Sequence, residues 1–99
     1  MTPIRLLREA EEELRRAAQY YEKAQPGLGR ALIAQVRRAK DLIAEHPLGA
    51  STERADIRVR SISRFPYRIY YRVRPAEIIV VAIGHRRRRP GFRLLHDER

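Results

Sequence analysis

Residues 56–84, DIRVRSISRFPYRIYYRVRPAEIIVVAIG, decide the fold, because they read as three strands in succession. Asp56–Ser63 alternates, with Ile57 and Val59 on one face and Arg58 and Arg60 on the other. Phe65-Pro66 breaks the pattern. Tyr67–Val73 alternates again, with Ile69, Tyr71 and Val73 opposing Arg68, Tyr70 and Arg72. After a tight turn at Arg74-Pro75-Ala76, Glu77–Gly84 is apolar on both faces, as a strand inside a sheet is. On this alternation Arg58, Arg60, Arg68 and Arg72 are expected to share one solvent face. The basic run His85–Arg89 is expected to emerge beside them.

Upstream the period changes. Residues 3–7, PIRLL, read as a short strand. From Arg8 to Ala24, Ala10, Leu14, Ala17 and Tyr21 form one apolar helical stripe. Glu9, Glu11, Glu12 and Glu13 occupy its first turns, where the helix dipole favours negative charge. Gln25-Pro26-Gly27 is a turn. A second helix runs from Leu28 to Glu45, striped by Leu32, Val36, Ala39 and Ile43 and widened by Leu28, Ile33 and Leu42. Pro47 stops it, since the residue before a proline is pushed out of the helical region. So short a connection makes the two helices an antiparallel hairpin. Residues 47–55 read as a loop. The expected architecture is α+β: a helical hairpin packed on an antiparallel sheet, in the order β-α-α-β-β-β, as a single domain over residues 1–99.

Composition narrows the function. The chain has 99 residues, room for one core, and no cysteine, so disulfide frameworks and thiolate metal sites are excluded. The opening MTPIRLLREAEEEL meets charge within five residues, so neither a secretory signal nor a membrane span is expected, and a cytoplasmic setting is. Of the net charge of +10, residues 1–50 contribute nine Lys+Arg against seven Asp+Glu, and residues 51–99 thirteen against five. So lopsided a field attracts polyanions.

The inventory of catalytic side chains is thin. His46 and His96 have no Asp or Glu at a metal-ligand spacing, so no metal and no cofactor are expected. Gly27-Leu28-Gly29 lacks the lysine of a phosphate loop and reads as a turn and helix start. The strand arginines suit phosphate or carboxylate, because guanidinium forks onto either bidentately. Tyr70 is placed to stack a base. The apolar positions of the hairpin exceed what one face needs, which makes Tyr20, Tyr21, Leu28, Ile33 and Leu42 candidates for a groove that takes a partner's amphipathic helix.

These stretches together resemble a known family. EAEEELRRAAQYYE, the hairpin ending LIAEHP, RFPYRIYYRV and IIVVAIGHRRRRPGF are similar to the RelE/ParE superfamily of bacterial type II toxins, over nearly the whole chain. The resemblance implies a growth-arresting toxin neutralised by an antitoxin, with operator DNA reached only through the antitoxin. RelE-type members cleave mRNA on the ribosome; ParE-type members poison DNA gyrase without catalysis. On that resemblance Arg58 and Arg60 fall where RelE-type enzymes carry a lysine pair, Arg68 and Arg86 where they carry arginines, and Phe92 where they carry a tyrosine.

Arginine stays protonated and is a poor general base, and phenylalanine has no hydroxyl. His85, beside Arg86, is the one side chain of this set left as a candidate for acid–base chemistry. The leading expectation is therefore a ParE-like gyrase inhibitor that contacts its target through Arg58, Arg60, Arg68, Arg72, Arg86, Arg87, Arg88 and Phe92. The alternatives are a ribosome-dependent endonuclease using Arg58, Arg60, Arg68, Arg86 and His85, and a non-toxic member acting only in an antitoxin-bound repressor.

Overall fold

The computed structural model describes residues 2–87, with Arg54 described by its backbone alone. Its elements are β1 (Ile4–Leu6), α1 (Arg8–Ala24), α2 (Leu28–Glu45), β2 (Thr52–Arg54), β3 (Ile57–Ser61), β4 (Tyr67–Val73) and β5 (Ile78–His85). Arg88 and Phe92 lie outside the described residues. The α+β class, both helices and the three long strands are as the sequence implies.

One five-stranded sheet holds the strands in the order β1-β5-β4-β3-β2. Two features refine the expected architecture. β1 joins β5 in parallel, pairing Ile4 with Ile78 and Leu6 with Val80, so the sheet is mixed. β2 is a short strand inside the expected loop, turned back on β3 at Ala55, whose φ is 51°. Thr52-Glu53-Arg54 has no apolar alternation, so nothing in its pattern announces a strand.

The helices lie on one sheet face. Ala10 and Ala17 of α1 and Leu32, Val36, Ala39 and Ile43 of α2 pack with Ile69, Tyr71, Ile78, Val80 and Ile83. A second cluster, Leu7, Ile57, Tyr70, Ile79, Val81 and Ala82, is buried on the opposite face. β5 serves both. A bulge lets Val81 and Ala82 together face Tyr70, so the strand changes phase midway without exposing an apolar side chain.

Two carboxylates of α1 tie the layers together. β1 ends at Leu6, leaving the Ile83 N–H of β5 with no strand beside it; Glu13 Oε1 accepts that N–H at 2.9 Å. At the hairpin, Glu22 accepts the N–H groups of Gly27 (2.9 Å) and Gly29 (3.0 Å), capping the start of α2. Those two backbone bonds, the Gly27 bond first, hold the Glu22 carboxyl below its ordinary range. Gly27 sits at φ 90°, the left-handed region. Gly29 is needed for another reason: a Cβ there would run into the carbonyl oxygen of Ala18, so the helices cross this closely only with glycine.

Gly29→Ala is expected to lower unfolding free energy by about 1–3 kcal/mol, as overpacking does, with an unchanged denaturant slope in urea. Glu22 carries a pH signature. A carboxyl whose folded pKa is depressed stabilises fully above its unfolded pKa and loses that contribution as pH falls through the folded value. The stability gap between wild type and Glu22→Gln is therefore expected to be full at neutral pH and to close on acidification. Denaturation midpoints measured between neutral pH and pH 3 check this.

Candidate functional site

The strand arginines do not share a face. β3 and β4 pair Arg58 with Tyr71, Val59 with Tyr70, Arg60 with Ile69 and Ser61 with Arg68. Residues directly opposite one another point to the same side. Arg58 and Arg60 therefore stand on the helix side with Tyr71 and Ile69, while Arg68 and Arg72 stand on the other with Tyr70. The single solvent face expected from alternation is corrected here. Six residues separate Ser61 from Arg68, an even number, so every pair joins an odd-numbered residue to an even-numbered one.

Arg58 and Arg60 work locally. Arg58 Nη1 donates to Ala50 O at 2.6 Å and reaches Leu48 O at 3.4 Å. The Tyr71 hydroxyl donates to Pro47 O at 3.2 Å. Together they clasp the loop that follows α2. Burial pushes the Tyr71 hydroxyl pKa up, against the pull of the neighbouring Arg60 and Arg58 guanidiniums. Arg60 completes the cluster, its Nε buried without a hydrogen-bond partner among the described residues.

Arg72 is also engaged. It is only 5% exposed, and its Nε meets Asp56 Oδ1 at 3.1 Å. Arg74 Nη1 meets Asp56 Oδ2 at 2.9 Å. Hydrogen bonds from Arg74 and then Arg72 hold the Asp56 carboxyl below its ordinary range, although desolvation opposes them. A target surface built on Arg72 is corrected accordingly, since the side chain is an internal strut.

The far end of the sheet is different. Arg68 sits between Ser61 and Gly84, its partners on either side. The Arg86 N–H bonds Pro66 O at 2.8 Å, and the side chains of Arg86 and Arg87 are exposed. His85 Nδ1 accepts the Arg87 N–H at 3.1 Å, and its ring lies edge-on to Tyr67 with centroids 5.5 Å apart. Arg58, Arg60, Arg68 and Arg86 thus do not converge on one phosphate, and one nitrogen of His85 is already taken. Among the described residues no cluster of His, Asp or Glu is arranged to hold a metal ion.

A second feature is a groove of about 810 Å³ between the hairpin and the outer edge of β1. Ile4, Leu6, Leu14, Ile33 and Val36 give it an apolar floor, and Arg30, Arg37 and Lys40 of α2 stand along it. Of the five residues expected to form a partner groove, only Ile33 lines this one. Tyr20 and Leu42 are 68% and 42% exposed elsewhere on the hairpin. Tyr21 packs against Phe65 at 5.0 Å, and Leu28 rests on the helix-side core. The sequence reading missed Ile4 and Leu6, which line the groove only because β1 is brought to the hairpin's flank by pairing with distant β5.

Comparison with known proteins gives this geometry a context. Over residues 4–90 the sequence matches the family model of the ParE toxin of the type II toxin–antitoxin system parDE. No curated protein matches the chain. Among solved structures it resembles one described as the chromosomal ParDE TA system from P. aeruginosa, with a TM-score of 0.76 and 19% sequence identity. That likeness covers 86% of this chain and 96% of the other, and at such identity it shows a shared fold. Because the family match spans nearly all of the described residues, the chain belongs to the ParE toxin family of type II toxin–antitoxin systems.

Proposed function

We propose that this ParE-family toxin acts in the cytoplasm, arresting growth by binding DNA gyrase, and that it is neutralised by a cognate antitoxin. The observation that carries the non-catalytic reading is the division of the arginines between the two sheet faces. A phosphoryl-transfer site needs charge converging on one phosphate and a group that moves a proton. Here Arg58 is bound to loop carbonyls, Arg68 lies on the far face, and arginine does not deprotonate. Such a surface can hold a partner without cutting it. No helix among the described residues is long and apolar enough to cross a membrane.

The antitoxin is assigned to the groove between the hairpin and β1. Its apolar floor and the cations of α2 suit an amphipathic helix with acidic flanks, which would bury its apolar side on Ile33, Leu14 and Leu6. Operator DNA would then be contacted through the antitoxin alone.

Purified toxin is expected to block supercoiling by gyrase and to trap cleaved DNA. Absence of any effect at micromolar toxin would remove the gyrase reading. Codon-aligned cuts in mRNA on translating ribosomes would replace it with the endonuclease reading, and unimpaired growth on induction would leave only an antitoxin-bound repressor component. For the groove, Ile33→Glu is expected to weaken antitoxin binding about tenfold or more, equivalent to about 1.4 kcal/mol, while Leu42→Glu leaves it nearly unchanged. Calorimetric titration of the two variants checks this, and equal losses would place the antitoxin elsewhere on the hairpin.

A further inference from the structure

At the turn end of the hairpin, aromatic rings form a continuous chain from the surface into the core. Tyr20 is 68% exposed, yet its ring meets Tyr21 edge-on with centroids 5.3 Å apart. Tyr21 in turn meets Phe65 at 5.0 Å and Tyr67 at 6.1 Å, and Phe65 is buried. Edge contact with a packed ring holds an otherwise free surface side chain in place. A ring fixed before binding gives contact area at little entropic cost, as an interface anchor must.

Arg64 stands at the same cluster. Its guanidinium carbon lies 5.8 Å from the Phe65 ring centroid, within cation–π range. Its backbone is at φ 73°, the left-handed region, where a glycine would sit without strain. The turn alone therefore gives no reason for an arginine, and the strained position places a cation beside the rings. More positive charge flanks Tyr20 on α1. Arg16 and Lys23, four before it and three after, share its side of the helix and are exposed. The acids nearest in the chain on either side of Tyr20 are engaged with backbone. Glu13 holds the Ile83 N–H, and Glu22 the N–H groups of Gly27 and Gly29. Residues 61–68 contain no Asp or Glu.

We propose that Tyr20 and Arg64, set over the Tyr21–Phe65 pair, form a docking surface for an acidic protein segment and, resting on the gyrase reading above, that this segment belongs to gyrase. An apolar side chain of the target packs on the Tyr20 ring, and a carboxylate takes the outer N–H groups of Arg64. Arg16 and Lys23 complete a positive rim that favours an acidic partner. The occupant is the target and not the antitoxin, because neither Tyr20 nor Arg64 lines the groove between the hairpin and β1. The two surfaces adjoin through α1, where Gln19 and Glu22 of the groove stand on either side of Tyr20 in sequence. An antitoxin seated in the groove thus crowds a target docked on Tyr20.

Biolayer interferometry with immobilised gyrase, with and without DNA, measures the affinity of the full-length toxin, and a supercoiling assay runs in parallel. Tyr20→Ala is expected to weaken binding about tenfold, and Tyr20→Phe to stay within about threefold of wild type, since the ring makes the contact. Arg64→Gly is expected to weaken binding about fivefold, with the loss fading at high salt. Its melting temperature is expected to change little, because glycine accepts the positive φ, so a lost contact is separated from a lost fold. Leu42→Ala, at another exposed apolar position of the hairpin, is expected to change binding by less than about twofold. Calorimetric titration with antitoxin is expected to give the same affinity for wild type and Tyr20→Ala. Gyrase binding and inhibition retained in full by Tyr20→Ala and Arg64→Gly overturn the surface alone. A wild type with no affinity for gyrase and no effect on supercoiling overturns the surface and the gyrase reading together. Losses confined to antitoxin binding assign the rings to the antitoxin, and losses seen only when DNA is present assign them to nucleic acid; either overturns the proposal.

Discussion

The whole arrangement turns on β5, a strand whose apolar run is buried along both faces. Ile78, Ile79, Val80, Val81, Ala82 and Ile83 are all buried, so no side of this segment can be left to water. Each edge must find a hydrogen-bonding neighbour, and each face an apolar layer. β4 takes one edge. The other falls to β1, which lies at the opposite end of the chain and pairs in parallel. That pairing draws α1 across the strand, and the hairpin then brings α2 after it.

With the strands fixed, charge is distributed by what each position can reach. Near Asp56, Arg72 and Arg74 share one carboxylate, which lets a cation sit almost wholly buried on the sheet. On the helix side, Arg58 and Tyr71 replace water as partners of the Pro47–Ala50 carbonyls. A sequence with many arginines looks uniformly suited to polyanions, but a good part of that charge is structural.

Much of this was legible in the chain itself. The stripe Leu32, Val36, Ala39 and Ile43 fixed α2, and the doubly apolar run Ile78–Ile83 announced an interior strand. Alternation in β3 separated Ile57 and Val59 from Arg58 and Arg60, yet could not say which pair looked toward the helices. That depends on how many residues the turn takes between Ser61 and Arg68, and on Arg64 adopting a φ of 73° within it. A turn of odd length would have given the expected face. Glu13 was read only as a dipole-compatible acid and Glu22 was not singled out, because their partners, Ile83 and the hairpin glycines, are known only once the chain has closed. The groove suffered similarly: Ile33 was recognisable as surplus apolar surface, whereas Ile4 and Leu6 joined it through a contact more than seventy residues away in sequence.

The bond from Ile83 to Glu13 has a bearing on solubility. β1 covers only the first half of β5, so the second half would otherwise present an unpaired, highly apolar strand edge, the usual template for one chain to add to another. By taking that N–H onto a helix carboxylate, the protein closes the gap with a charged side chain that a foreign strand would have to displace. This carboxylate guards the stretch of sheet where self-association would otherwise begin.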